Sequence, residues 1–198
     1  MKTIGIVFSL LTLVFLVISF MSAAANRKTE RQQYNVVKQE NGFEIRFYPK
    51  ALMATLHSSA KDEHGNKNNN FRTLAGYIFG GNKDNTKIAM TAPVYMGIGQ
   101  NADKMSFVLP AQYKINELPQ PNDTSIDIHY SEEGYYAAYS FGGYSSNDKI
   151  EKKENELKVL LAKGGYEVIG PFYYLGYNAP WDVVNRENDI LVKIKYTK

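Results

Sequence analysis

The sequence predicts an α+β fold: a distorted antiparallel β-barrel made of two pseudo-repeats and flanked by two α-helices. Three observations predict it. A strand–strand–helix–strand order occurs twice, and each helix ends in Gly-Gly, at Gly80–Gly81 and Gly164–Gly165. Aromatic residues make up 13% of the chain, with 15 Tyr among them, a bias that suits strands over helices. Two helices are too few for an alternating parallel α/β fold, and no Gly-rich phosphate loop follows a strand.

The elements follow in order. Residues 1–25 precede the domain, with a basic start at Lys2, an apolar run from Ile4 to Met21, and Ala23 and Ala25 in an A-x-A pattern. This is a signal peptide cut before Asn26, or an uncleaved N-terminal membrane anchor, since the run nearly spans a bilayer and Arg27, Lys28 and Arg31 follow it. Either way the domain is expected to be exported, as a periplasmic or secreted protein or one held at the membrane through this segment alone. Residues 26–33 are polar and read as a linker, which leaves 34–198 as one domain.

"FEIRFY" (43–48) alternates apolar and polar residues, and "ALMATLHS" (51–58) follows Pro49, so both read as strands. "KDEHGNKNNN" (61–70) is a polar loop. Phe71, Leu74, Ala75, Ile78 and Phe79 recur at helical spacing, which predicts a helix over 71–80 capped by Asn69 or Asn70. Strands are expected over 87–97 and 104–110. Within the first, "KIAMTAPVYM" carries Pro93, which lacks a ladder donor and therefore belongs at an edge, a bulge or a bend. The proline-bearing linker 110–124 joins the halves. The second half then offers strands over 125–130 and 134–141, a helix in "SNDKIEKKENELKVLLAKGG", and strands over 172–177 and 189–196.

Composition excludes several function classes. There is no Cys, so disulfides, thiolate nucleophiles and thiolate–metal sites are absent. A formal charge of +3 without a Lys/Arg block gives no reason to expect nucleic acid. No G-x-S-x-G, H-E-x-x-H or P-loop motif occurs, and the adjacent Glu132 and Glu133 would point to opposite faces of a strand. The chain is not expected to be an enzyme. A monomer is expected.

Four stretches carry a resemblance to a known family. "KIAMTAPVYM" (87–96) resembles the Lys-x-x-Met-Thr-x-Pro-Val signature of the SOUL haem-binding family, again just after a Gly-Gly-terminated helix. "YSFGGY" (139–144), "FYYLGYNAPW" (172–181) and "NRENDILV" (185–192) are similar, in order, to further family motifs, and the resemblance covers about residues 34–196. The resemblance implies non-covalent binding of haem or another tetrapyrrole in a groove beside the first helix, usually without turnover. The alternatives are a domain of the same shape that takes another amphipathic small molecule or a protein partner, or, less favoured, a hydrolase.

A haem site needs an apolar wall for the ring and cations or donors for the propionates. If the stripe Phe71–Leu74–Ala75–Ile78 faces the sheet, the opposing side of the helix carries Arg72, Thr73, Gly76 and Tyr77. Gly76 costs about 1 kcal/mol in a helix interior relative to Ala, and the missing side chain would suit a flat ligand. Tyr77 would stack or hydrogen-bond, and Arg72 would pair with a propionate. Tyr177 and Trp181 are the candidate second wall. Met90 is assigned to the core. Of the three His, His64 is solvated, His129 shares an exposed strand face with Asp127, and His57 is the candidate iron ligand, with no metal-ligand spacing to support it.

Overall fold

The computed structural model describes residues 29–57, 66–179, 182 and 185–197. The expected signal peptide or anchor, His64 and Trp181 lie outside the described residues. The chain opens with strands β1 (Glu30–Arg31), β2 (Asn35–Gln39), β3 (Glu44–Tyr48) and β4 (Leu52–His57), followed by helix α1 (Asn66–Ile78). Strands β5 (Thr91–Ala92), β6 (Val94–Gly97) and β7 (Lys104–Val108) complete the first half. A connection with a 3-10 turn at Ile115–Glu117 leads to β8 (Ile126–Tyr130), β9 (Gly134–Gly142), α2 (Asn147–Gly164), β10 (Glu167–Gly176) and β11 (Glu187–Lys195).

Among the described residues nine strands form one antiparallel sheet in the order β2-β3-β9-β11-β10-β6-β7-β4-β8. Exchanging β3 with β8, β4 with β9, β6 with β10 and β7 with β11 maps the ladder from β3 to β8 onto itself. The repeat of order is therefore a pseudo-two-fold centred on the β6–β10 pair. The expected barrel does not close. The ladder ends at β2 and β8, short strands of five residues each, and β2 carries an irregularity between Val36 and Lys38.

Strand alternation assigns the two faces of this sheet. On one, Leu52, Ala54, Leu56, Met105 and Phe107 pack against Leu74, Tyr77 and Ile78 of α1. Beside them Ile45, Ala137, Ile190, Val192 and Ile194 pack against Ile150, Leu157 and Leu161 of α2. Each fully buried Leu or Ile in these clusters contributes about 1.5–3 kcal/mol. The other face carries no described helix. It holds Tyr48, Ala138, Leu175 and Leu191, ringed by Tyr95, Tyr136, Tyr173 and Tyr177.

Helix α2 matches its expectation because its ends are local. The Ser146 hydroxyl accepts from the Lys149 N–H, and Gly165 takes a left-handed φ of 70° after the last turn. Helix α1 differs. It begins at Asn66, so 66–70 are helical where a loop was expected. Asn70 is not a cap; it is buried, and its amide donates to the Asp103 carbonyl, anchoring the early helix to the β6–β7 connection. At the other end Gly80 has a φ of 111°, and Gly81 N–H donates to the Gly76 carbonyl. A Cβ on Gly81 would stand 2.7 Å from that same oxygen, so the Gly-Gly stop is a steric requirement.

Two further differences concern the N-terminal side. Glu30–Arg31, expected in a linker, pair in parallel with Thr91–Ala92, and Asn35–Gln39 form an edge strand that alternation did not reveal. Pro93 sits at the break between β5 and β6, after a cis Ala92–Pro93 bond. This is the bend expected for it: the chain leaves the two-stranded pair there and enters the main sheet.

Candidate functional site

The outward side of α1 is built from three residues at i, i+4 and i+7: Arg72, Gly76 and Phe79. Arg72 is exposed, and its guanidinium makes no hydrogen bond or ion pair with any described residue. A Cβ built on Gly76 would meet nothing within 4 Å, so among the described residues no loop packs on this point of the helix. Phe79 is 61% exposed, although its spacing had placed it in the core stripe. The helix ends at Ile78, and Phe79 begins the turn that follows it. Thr73 is half-buried beside this line.

Tyr77 is a correction. It was expected on the open side, but it is 1% exposed and its hydroxyl donates to the Pro119 carbonyl at 3.0 Å. Burial pushes that hydroxyl up to about 12. The 110–124 connection folds back on the end of α1 through this bond and through Lys83 N–H to the Gln120 carbonyl, and Tyr77 closes the core beneath it.

The structure does not bring Tyr177 of the second predicted wall to the side of α1. Tyr177 belongs to the cluster on the helix-free face, where its hydroxyl donates to Asp189 Oδ2 at 2.7 Å and Arg31 lies over its ring. Burial, reinforced by the Asp189 carboxylate, holds that hydroxyl far above the ordinary tyrosine range. Asp189 also pairs with buried Arg46 at 2.6 Å. Tyr177 is thus committed to a buried polar network. His57 is exposed at the end of β4, with Nδ1 4.0 Å from Asp103 Oδ2. Among the described residues no group of three His, Asp or Glu side chains is placed to hold a metal ion. Met90 packs half-buried against the α1 cluster, as assigned.

A different set gathers on the helix-free face, where a cavity of about 320 Å³ lies between Tyr95, Tyr136, Tyr173, Met53 and Lys104. Beside it Thr55 Oγ1 lies 2.8 Å from Ser106 Oγ and 2.9 Å from His129 Nε2, while His129 Nδ1 lies 3.0 Å from the Tyr130 carbonyl. His129 is therefore half-buried with both ring nitrogens engaged, not the exposed-face residue that strand alternation suggested. Alternation does put Thr55, Ser106 and His129 on one face; only the β8-β4-β7 pairing puts them side by side. A larger concavity of about 890 Å³ runs along α2, lined by Asp148, Glu151, Glu156, Lys152, Tyr139 and Val159 among others.

Comparison with known proteins shows the family. A family model described as SOUL heme-binding protein matches residues 29–193. Heme-binding protein 2 of Homo sapiens is 29% identical over 160 residues, covering 77% of this chain and 78% of that protein. Among solved structures, an uncharacterized conserved protein from Listeria innocua superimposes with a TM-score of 0.58 at 9% identity, covering 79% of this chain and 93% of that one. A hydrolase from Listeria innocua gives a TM-score of 0.57 at 8% identity over 80% and 94% of the two chains. Identities this low show a shared fold alone.

Proposed function

We propose that this chain, which belongs to the SOUL heme-binding protein family, binds haem or a closely related tetrapyrrole non-covalently on the open side of α1. The observation that carries the reading is the open space over Gly76 among the described residues, flanked by an exposed Phe79 and by an Arg72 guanidinium with no described partner. Bound haem supplies a flat apolar face, two propionates and an iron. Gly76 leaves room for the ring to approach the helix backbone, Phe79 offers an aromatic edge or face, and Arg72 forms a charge-assisted hydrogen bond to a propionate. Apolar burial drives capture and the cation orients the ligand.

Charge favours α1 over the larger concavity along α2. That concavity is lined by Asp148, Glu151 and Glu156 against Lys152, an excess of carboxylate that repels propionates. Helix α1 contains no acidic residue. Tyr77 and Tyr177 are not part of the proposed site, because both hydroxyls are already donated within the protein.

Haem titrated into the purified protein is expected to give a saturable Soret shift at one-to-one stoichiometry. Gly76→Leu fills the approach to the helix and should weaken that binding roughly tenfold or more, with Arg72→Ala also weakening it. An unshifted Soret band, or equal affinity in wild type and both variants, overturns the assignment.

A further inference from the structure

The cavity on the helix-free face is built by both halves of the chain. Met53, Lys104 and Ser106 come from β4 and β7, and Tyr136, Tyr173 and Lys193 from β9, β10 and β11. Its mouth coincides with a break in the ladder. Between the pairs Val168↔Ile194 and Phe172↔Val192, β10 advances four residues while β11 advances two. The surplus lifts Ile169, Gly170 and Pro171 out of register, and they form one wall of the cavity. Ile169 is left 51% exposed there, an apolar side chain at the opening.

The polar groups of this cavity are committed unevenly. The Tyr95 hydroxyl donates to Gln32 Oε1 at 2.6 Å, and the Tyr136 hydroxyl donates to the Glu132 carbonyl at 2.8 Å. Lys193 is neutralised by Glu132 at 2.6 Å. The Lys104 ammonium has no hydrogen bond or ion pair with any described residue and shares the field of Glu132 with Lys193, and the Tyr173 hydroxyl has no hydrogen-bond partner among the described residues. The cavity therefore offers aromatic walls, one ammonium without a direct partner and one unused hydroxyl donor. Burial raises the Tyr95, Tyr136 and Tyr173 hydroxyls above the ordinary tyrosine range, with Tyr136 pushed up to about 12. Its volume, about 320 Å³, lies at the bottom of the ~300–1,000 Å³ range of small-molecule sites, room for one or two fused rings and too little for a tetrapyrrole.

We propose that this cavity is a second binding site, separate from the face of α1, that takes a small planar aromatic carboxylate. The ring lies between Tyr95, Tyr136 and Met53, and the carboxylate meets the Lys104 ammonium and the Tyr173 hydroxyl. Charge decides the sign of the ligand. Lys104 and Lys193 face a single carboxylate, Glu132, so an aromatic cation is repelled and an aromatic anion attracted.

The test uses the full chain and three probes of one shape: naphthoate, naphthamide and naphthylmethylamine, each titrated by calorimetry. Naphthoate should bind saturably at one-to-one, with the amide weaker and the amine weakest. Lys104→Met should cost naphthoate roughly tenfold or more, the loss of one charged hydrogen bond, while Lys104→Arg retains binding. Gly76→Leu should leave naphthoate affinity unchanged, and saturating naphthoate should leave the haem titration unchanged, so the two sites stand or fall separately. The assignment is overturned if no probe saturates, if the amine binds as tightly as naphthoate, or if Lys104→Met binds like wild type. Should Lys104→Met not fold, Tyr173→Phe together with the wild-type ranking of the three probes decides.

Discussion

Tyr77 donates its hydroxyl proton to the Pro119 carbonyl across 3.0 Å, and that bond decides which side of α1 the residue belongs to. Helical spacing alone is ambiguous here. Tyr77 and Phe79 flank the stripe of Leu74, Ala75 and Ile78 on opposite sides, and an apolar face about 100° wide has room for only one flank. The returning 110–124 segment supplies an acceptor for a phenol and nothing for Phe79, so Tyr77 goes in and Phe79 stays out. Tyr77→Phe removes one buried hydrogen bond and leaves a carbonyl unsatisfied, at a cost of about 1 kcal/mol, read as a lower urea midpoint. The same variant should bind haem like wild type; a loss of haem affinity would return Tyr77 to the site. His129 was misjudged for a related reason, since its partner Thr55 lies 74 positions away in sequence.

At the scale of the element, α1 and α2 differ in how much of each was readable. The cap of α2 is a Ser immediately before an acidic first turn, and its stop is a left-handed Gly, both signals contained within the segment. The early turns of α1 run through four Asn and a Lys, residues that read as loop. They are helical because α1 continues from a packed stripe and Asn70 finds a tertiary acceptor. Gly76 sits in this helix with open space where its side chain would be. Gly76→Ala should therefore raise stability by about 0.5–1 kcal/mol, measured by equilibrium denaturation. Destabilisation instead would mean that the face is covered in solution, and the haem reading would go with it.

For the whole molecule, the buried tyrosines set an alkaline limit. Burial pushes Tyr48, Tyr77 and Tyr136 up to about 12 and also holds Tyr95 well above the ordinary tyrosine range. In the unfolded chain these groups ionise near pH ~10. Each folded-state value is raised, so the contribution is complete below pH ~10 and is lost as pH climbs through about 12. Unfolding by circular dichroism and the rise of tyrosinate absorbance should then coincide within that window; tyrosinate that forms well before unfolding would contradict the burial. Architecture was legible at this scale because a doubled strand–strand–helix–strand order admits few sheets, and the β6–β10 pseudo-two-fold is the one this chain adopts. Local composition was enough to establish the class of fold, helix α2, the packed later turns of α1 and an irregularity at Pro93, since each depends on residues adjacent along the chain or one helical turn apart. Closure of the sheet, the committed hydroxyls of Tyr77 and Tyr177, and the cavity around Lys104 were settled only by tertiary pairing. They depend on segments that meet only in the folded chain, and no periodicity within one segment encodes which segment will be its neighbour.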